Sequence, residues 1–265
     1  MTITHLIKLA CETVLPNNEK EGIQRSIGTL QTRLIKYFRD QLSCQFIFGS
    51  YSRGTILPRS MDPQSDVDYM VIFSDSGLQP QSYLDRLRRF AEHYYSRSEI
   101  SQSHPTIVLE LNHIQFELVP AIWNYYEDSL QIPTKFSNYQ SWQNTNPNDF
   151  NDKLKIVNQT HNNNIKPLVR IMKYWNAKSG YPFESYTLEQ QIVSHRYCFL
   201  GLVMQRQISD YFFQIVDALD AGASAPQWKR DAMAHMKQSI TQARILYHAG
   251  QIDLANAIIA KLLPL

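Results

Sequence analysis

Two aspartates, Asp66 and Asp68, stand two positions apart in the stretch SDVDYMVIF, which otherwise has the composition of a buried β-strand. Side chains alternate between the two faces of a strand, so both carboxylates project from the same face. Two negative charges this close repel each other unless a cation lies between them, and a hard divalent metal ion fulfils this role best. The pair therefore indicates a metal site.

A third acid, Glu117, lies in the later stretch IQFELVPAI. There Ile114, Phe116 and Leu118 form an apolar row, which leaves Glu117 on the opposite face of the predicted strand. Gln115 shares the face of Glu117 and is a further candidate to line the site. Three carboxylates from two neighbouring strands could hold two Mg²⁺ ions, about 3.5–4 Å apart, which activate an attacking hydroxyl and stabilise a leaving phosphate.

A Gly-Ser pair, Gly49 and Ser50, precedes the two aspartates. A strand that ends at Gly49, followed by Ser50 in a helical turn, lets a phosphate approach exposed backbone N–H groups and a hydroxyl donor. Each of these features alone has a simpler explanation. D-x-D also occurs in turns and on acidic surfaces, and Gly-Ser pairs are common. Glu117 alone could be a solvent-exposed charge. Their joint order of strand, Gly-Ser, short helix, D-x-D strand and later acid favours an active site.

The elements that must position these residues form an α+β segment. A helical N-terminus is followed by a long amphipathic helix that runs to about Leu42, on the apolar positions Ile23, Ile27, Leu30, Leu34 and Phe38. Next come a strand at CQFIF, a short helix at SYSRGTIL, the D-x-D strand and a helix at SYLDRLRRFAEHYY. TIVLEL and IQFELVPAI then predict a hairpin joined at Asn112 and His113.

The second half of the sequence predicts helices. From Trp123 to about Asn162 the chain is polar and rich in Asn, which indicates a loop that crosses between two lobes. Beyond it, Ile165, Leu168, Val169, Met172 and Trp175 share one face of a helix that ends before Gly180, and the remainder is helical. We therefore expect an α+β lobe at 1–162 and a helical lobe at 163–265.

Composition limits the classes of function. The 265 residues are 43% hydrophobic and can bury a large core, whereas a net charge of +2 argues against broad capture of duplex nucleic acid. No apolar run reaches the roughly 20 residues of a membrane span, and no signal peptide is evident, which predicts a cytoplasmic protein without a membrane partner. Cys11, Cys44 and Cys198 are expected to be buried, reduced thiols. The eight histidines show no metal-ligand spacing.

The stretches GSYSRGT, SDVDYMVIF and FELVPA, in that order, resemble the nucleotidyltransferase core of the polymerase-β superfamily. They are most similar to its bacterial cGAS/DncV-like nucleotidyltransferases, which synthesise cyclic oligonucleotides. SWQNTNPNDF, VRIMKYW and ESYTLEQQ resemble the linker, the phosphate-contacting helix and the base-stacking segment of that family and of oligoadenylate synthetases. The resemblance implies a polymerase-β-like core with a mixed sheet, a helical C-terminal lobe and a central cleft.

Two departures from the family pattern bear on function. Many relatives carry Asp where Glu117 stands, and since glutamate also coordinates Mg²⁺, this difference concerns the geometry of the site. No zinc-finger insertion like that of the animal DNA sensor is present, so no duplex DNA activator is expected.

The resemblance assigns roles to single residues. It implies metal ligands at Asp66, Asp68 and Glu117, phosphate contacts at Gly49, Ser50, Lys173 and Ser185, and stacking on the donor base at Tyr186. The residues themselves allow alternatives. Lys173 lies on a helical face with Lys166 and Arg170 and fits a solvated basic stripe, Ser185 fits a helix N-cap, and Tyr186 fits a buried core position.

The resemblance also implies a reaction. We expect a Mg²⁺-dependent enzyme, with Mn²⁺ as a substitute, that condenses nucleoside triphosphates, ATP among them, into a cyclic or short linear oligonucleotide and releases pyrophosphate. By analogy the product is a second messenger of anti-phage defence. The alternatives are transfer of a nucleotide to tRNA or to a protein, and a non-catalytic nucleotide-binding or antitoxin-like module. The sequence does not indicate the bases used, a regulator or the oligomeric state.

Overall fold

A computed structural model describes residues 3–103, 105–134, 141–199 and 206–265. Strands concentrate in the first part of the chain and helices in the second, as the sequence predicts. The helices are α1 (Thr4–Glu12), α2 (Asn17–Phe38), α3 (Gly49–Arg53), α4 (Pro80–Tyr94), α5 (Asp149–Thr160), α6 (Ile165–Lys178), α7 (Ser185–Ser194), α8 (Ile208–Ala218), α9 (Gln227–His248) and α10 (Ile252–Leu262). The strands are β1 (Leu42–Phe48), β2 (Asp66–Phe73), β3 (Glu99–Ser103), β4 (Thr106–Glu110), β5 (Gln115–Asn124), β6 (Ser129–Pro133) and β7 (Trp142–Thr145).

The chain divides into two compact units, and each is discontinuous in sequence. Unit 1 comprises Met1–Leu15, Ser60–Asp62 and Asp152–Leu265, and unit 2 comprises Pro16–Arg59 and Pro63–Asn151. These bounds differ from those of the predicted lobes at 1–162 and 163–265, mainly because α1 belongs with the later helices. The division into a catalytic lobe at 1–162 and a helical lobe at 163–265 therefore remains a prediction.

Unit 2 contains a mixed sheet in the order β1-β2-β5-β4-β3, and β6 and β7 continue from β5. β2 and β5 are parallel, while the other neighbouring pairs are antiparallel. The predicted hairpin of β4 and β5 is thus confirmed, and so is the mixed α+β class. On one face of β2, Phe73 packs edge-on against Phe38 of α2 and at a tilt against Tyr83 of α4, so both helices contact this face.

The opposite face of β2 carries Asp66 and Asp68 at one end and an apolar cluster at the other. The cluster contains Met70 and Ile72 of β2 with Val119 and Ala121 of β5, and partly buried side chains from β1 and β6 pack against it. Because side chains alternate along a strand, the acids and the apolar cluster lie on the same face of β2, one after the other.

Unit 1 is helical in its described part. α1 packs against α6, α8 and α10, while α9 packs against α8 and α10. The apolar face predicted for α6 is confirmed, because Ile165, Leu168, Val169, Met172 and Trp175 are all buried. Among the described helices, none combines the length and the apolar composition that a membrane span requires.

Two predictions about local structure differ from the structure. The stretch from Trp123 to Asn162 contains the end of β5, together with β6, β7 and α5, where a loop was expected. β6 has only two alternating apolar residues, Leu130 and Ile132, and β7 is short and partly exposed, so neither strand gives a strong sequence pattern. The α-helix ends at Phe38 because Arg39 has a φ of 52°, outside the helical range, and a 3-10 helix at Arg39–Gln41 fills the remaining stretch to Leu42.

The three cysteines are free thiols as expected, but all of them are exposed. Cys11 lies on α1, whose buried positions are Leu6 and Leu9, so it falls outside the apolar face of that helix. Cys44 lies on β1, which is an end strand of the main sheet order.

Candidate active site

The three acids lie on two parallel neighbours, β2 and β5. The register pairs Asp68 with Glu117 and Asp66 with Gln115. Partners in register project from the same face of a sheet, so the three carboxylates and the amide of Gln115 share one face. Asp66, Asp68 and Glu117 are all partly exposed, which leaves their face accessible. The structure thus places the three predicted acids on one face of two neighbouring strands.

Gly49 lies directly against the carboxylate of Asp68. Its φ is +68°, and a Cβ atom at this position would lie 1.7 Å from Oδ2 and 2.5 Å from Cγ of Asp68. Real Cβ atoms do not approach other atoms this closely, so only glycine permits both the backbone conformation and the contact. The sequence predicts Gly49 as a phosphate contact, whereas the close approach to Asp68 is a finding of the structure.

Ser50 is buried at the start of α3, with about 8% of its surface exposed. Its carbonyl oxygen accepts hydrogen bonds from the N–H groups of Thr55 (2.9 Å) and Ile56 (3.2 Å), and Ser52 Oγ donates to the Gly49 carbonyl (2.9 Å). These bonds fix the Gly-Ser turn beside β2. One turn later Arg53, also buried, lies over the ring of Phe150 with 5.2 Å between the guanidinium carbon and the ring centroid.

The acidic face suits a hard divalent cation in its donor chemistry, because carboxylate oxygens are the ligands that Mg²⁺ and Mn²⁺ prefer. Within the described residues, no three or more His, Cys, Asp or Glu side chains are gathered closely enough to form a metal cage. Mg²⁺ usually keeps several waters and binds through one or two carboxylates plus substrate phosphates. The open row of acids fits this mode of binding.

Lys173 belongs to unit 1 and is buried, with 6% of the residue exposed. Its Nζ lies 3.3 Å from Oε1 of Glu189 on α7, which is 1% exposed. The alternative of a solvated basic stripe is therefore wrong. Lys166 and Arg170, the other residues of that stripe, are also partly buried. Burial lowers the pKa of Arg170. The pKa of Lys166 is lowered mainly by burial and further by the charges of Arg170 and Lys155.

Ser185 and Tyr186 are the first two residues of α7, in unit 1. The N-cap position is Glu184, which makes no side-chain capping bond, so the N-cap alternative for Ser185 is wrong. Tyr186 is 44% exposed, which contradicts the alternative of a buried core tyrosine. An exposed ring beside an exposed hydroxyl suits contacts with a base and a phosphate.

The loop before α7 is held by two contacts that sequence reasoning missed. The side chain of Asn176 both donates to the carbonyl and accepts from the N–H of Phe183, each at 2.9 Å. Tyr181, with a φ of 60°, donates its hydroxyl to Oδ1 of Asp62 at 2.6 Å, and Asp62 is 8% exposed. The partners are 119 positions apart, so no local pattern could indicate this bond.

Residues 1–158 match the profile of the Second Messenger Oligonucleotide or Dinucleotide Synthetase domain. A probable cyclic nucleotide synthase of Bacillus cereus (strain VD146) is 25% identical over 185 residues, which are 56% of this chain and 54% of the relative. The match thus spans about half the length of that curated relative.

Solved structures share the fold over nearly the whole chain. Escherichia coli MS115-1 CdnC with ATP superposes with a TM-score of 0.70 at 14% identity, covering 99% of this chain and 98% of CdnC. The Bradyrhizobium diazoefficiens CD-NTase CdnG with GTP gives 0.68 at 12% identity, covering 98% and 97%. Vibrio cholerae DncV, a cyclic AMP-GMP synthase with a linear intermediate, gives 0.67 at 11% identity, covering 88% and 86%.

The mixed sheet, the acidic face and these comparisons define a cGAS/DncV-like nucleotidyltransferase fold, as the motifs predict. Because the profile covers more than half of its 265 residues, the chain belongs to the Second Messenger Oligonucleotide or Dinucleotide Synthetase domain family.

Proposed function

We propose that the protein is a metal-dependent nucleotidyltransferase that condenses nucleoside triphosphates into a cyclic or short linear oligonucleotide and releases pyrophosphate. The observation that carries the proposal is the register of Asp68 with Glu117, with Asp66 on the same face and Gly49 packed against Asp68. The names of the B. cereus, B. diazoefficiens and V. cholerae relatives support the same reaction class.

Each predicted site residue has a task in this proposal. Asp66, Asp68 and Glu117 hold Mg²⁺ or Mn²⁺, which when bound activates the attacking hydroxyl and stabilises the leaving group. Their partial exposure on one open face leaves room for the substrate phosphates.

The remaining residues hold the donor nucleotide. The Gly49–Ser50 turn of unit 2 offers backbone N–H groups and a hydroxyl to phosphate, and Lys173 and Ser185 of unit 1 are proposed as further phosphate donors. Tyr186 stacks on the base, which suits any nucleobase because each has a π-face. ATP is proposed as one of the substrates, and the role in cytoplasmic anti-phage signalling is proposed from the family alone.

Incubation of the purified protein with each labelled nucleoside triphosphate and Mg²⁺ or Mn²⁺, followed by phosphatase, tests the proposal. A small phosphatase-resistant product is expected from the wild type and not from Asp68→Asn. Asp75→Asn is the matched control, since Asp75 follows the other end of β2 and pairs with Arg86. Consumption of nucleotides only when tRNA or a protein is added would instead indicate transfer to a macromolecule, and binding without turnover would indicate a non-catalytic module.

A further inference from the structure

Glu189 is a buried carboxylate to which the proposed reaction has so far given no task. It is 1% exposed, and its Oε1 lies 3.3 Å from Nζ of Lys173, which is 6% exposed. Burial penalises charged groups strongly, so buried charges persist where they neutralise and hydrogen-bond each other. Glu189 thus provides the counter-charge for the ammonium group of Lys173 inside unit 1.

The position of Glu189 on α7 relates this ion pair to the proposed phosphate contacts. Glu189 follows Ser185 by four residues on the same helix, so the two side chains lie on one face, a single turn apart. Lys173, which contacts Glu189, is therefore held near Ser185. Of the two residues of unit 1 that are proposed to bind phosphate, Lys173 contacts this carboxylate and Ser185 lies one helical turn before it.

We propose that Glu189 is a placeholder for the donor triphosphate: it holds Lys173 while nucleotide is absent and yields the ammonium to phosphate oxygens when nucleotide binds. This inference rests on the proposed function, because it takes Lys173 as a phosphate contact. An ammonium has three N–H donors, and a triphosphate offers more acceptor oxygens and more negative charge than one carboxylate. Glu189 positions Lys173 and at the same time competes for it.

The competition has a consequence for turnover. Any anion that contacts Lys173 must first displace Glu189, so the carboxylate lowers the affinity for every polyphosphate, pyrophosphate included. Since released pyrophosphate would otherwise compete with the next substrate, a competing carboxylate shortens its stay. A substitution that weakens Glu189 as a competitor should tighten polyphosphate binding and slow product release.

Calorimetric titration with inorganic tripolyphosphate tests the placeholder role without a choice of base. Glu189→Gln keeps the shape of the side chain and removes its charge. We expect its Kd for tripolyphosphate to fall about three- to tenfold, because the polyphosphate supplies a counter-charge that the variant lacks. Without ligand, the variant should also melt at a lower temperature than the wild type. Tripolyphosphate should raise its melting temperature by more than it raises that of the wild type. Equal or weaker binding by Glu189→Gln would overturn the proposal.

Two further variants keep the test decisive if Glu189→Gln does not fold. Glu189→Asp retains the charge and withdraws it by one methylene, so the affinity for tripolyphosphate should rise about twofold or more, while wild-type affinity would overturn the proposal. The double variant Lys173→Met with Glu189→Gln removes both charges and should bind tripolyphosphate more weakly than the wild type. Stronger binding by the double variant would show that Lys173 is no phosphate contact.

Asp217→Asn is the matched control. Asp217 pairs with Arg244 in the same unit, with 2.8 Å between Oδ2 and Nη2, and should leave the Kd for tripolyphosphate unchanged. If the wild type binds neither tripolyphosphate nor any of the common nucleoside triphosphates, the proposed function fails together with this inference. If nucleotides are turned over while Glu189→Asp binds tripolyphosphate as the wild type does, only the placeholder role fails.

Discussion

At Gly49 the chain passes so close to Asp68 that even a methyl group on Cα would displace the carboxylate. Gly49→Ala should lower the rate of nucleotide condensation by about a hundredfold, because a displacement of about 1 Å at a reacting group has effects of this size. It should also destabilise the fold by about 1 kcal/mol or more, since alanine is strained at a positive φ. Initial rates and thermal unfolding measure the two effects.

Gly28→Ala is the control for this substitution. Gly28 lies inside α2, and a Cβ atom there would meet no atom within 4 Å. Alanine in an exposed helix interior should stabilise the protein by about 0.5–1 kcal/mol and leave the rate unchanged. Full activity of Gly49→Ala would contradict the geometry of the site.

Substitutions at Asp68 and Glu117 separate the effect of side-chain charge from the effect of side-chain length. Asp68→Asn should abolish product formation at every substrate concentration, because an amide retains the packing but loses the charge that holds the metal ion. Activity within about tenfold of the wild type would refute its assignment as a metal ligand. Glu117→Asp keeps the charge, so substantial residual activity would show that charge dominates, and a severe loss would show that reach is also fixed.

Tyr186 tests whether the donor base is held by stacking. Tyr186→Ala should weaken nucleotide binding by roughly 1–3 kcal/mol for every accepted base, whereas Tyr186→Phe should be nearly silent. Competition binding with the four nucleoside triphosphates measures this effect. A loss confined to one base would contradict stacking and indicate that Tyr186 selects the base.

At the scale of elements, the sequence predicts those that have an apolar period. β2, β5 and α6 have one, and their predicted faces agree with the structure, so the acidic face could be drawn from Asp66, Asp68 and Glu117 alone. The parallel pairing of β2 and β5 could not, because register between distant strands depends on tertiary contacts.

Elements without an apolar period escaped prediction. β3, β6 and β7 are short, and most of their side chains are partly or fully exposed, so their hydrophobic pattern is absent or, in β6, limited to Leu130 and Ile132. The ion pair of Lys173 and Glu189 joins two helices, and nothing in either segment alone indicates it. Such contacts are determined by packing and appear only in the folded chain.

The pairing of β1 with β2 gives a prediction for alkaline pH. Burial raises the pKa of Tyr69 to about 12, and its hydroxyl donates to Oε1 of Gln45 on β1 at 3.1 Å. In the unfolded chain the pKa is about 10, so stability from the neutral phenol is complete below pH 10 and is lost as pH rises towards 12. The free energy of unfolding should therefore fall over this range.

Urea unfolding at about pH 9 and about pH 11 measures this decrease in the free energy of unfolding. Tyr69→Phe cannot ionise and should show a smaller decrease than the wild type, although it starts from a lower stability because the bond to Gln45 is absent. Tyr126→Phe, at a fully exposed tyrosine, should match the wild type at both values. An equal decrease for wild type and Tyr69→Phe would show that Tyr69 does not titrate in this range.

For the whole molecule, nucleotide binding should be visible as stability. A ligand that binds only the folded chain stabilises it by about 2.7 kcal/mol at a concentration one hundred times its Kd. Thermal scans with Mg²⁺ and each nucleoside triphosphate should therefore give the largest shifts for the accepted bases. The absence of a shift with all four would contradict the proposed substrates, and Lys173→Met with Glu189→Gln should reduce the shift for every base alike.

The discontinuity of unit 1 has a consequence for biosynthesis. A ribosome finishes unit 2 once Asn151 has emerged, whereas α1, made before unit 2, packs against α6, α8 and α10, which are made after it. The buried Leu6 and Leu9 of α1 therefore stay without these partners while unit 2 is translated. Since exposed apolar surface on a nascent chain promotes aggregation, α1 is the segment where chaperone binding during translation should matter most.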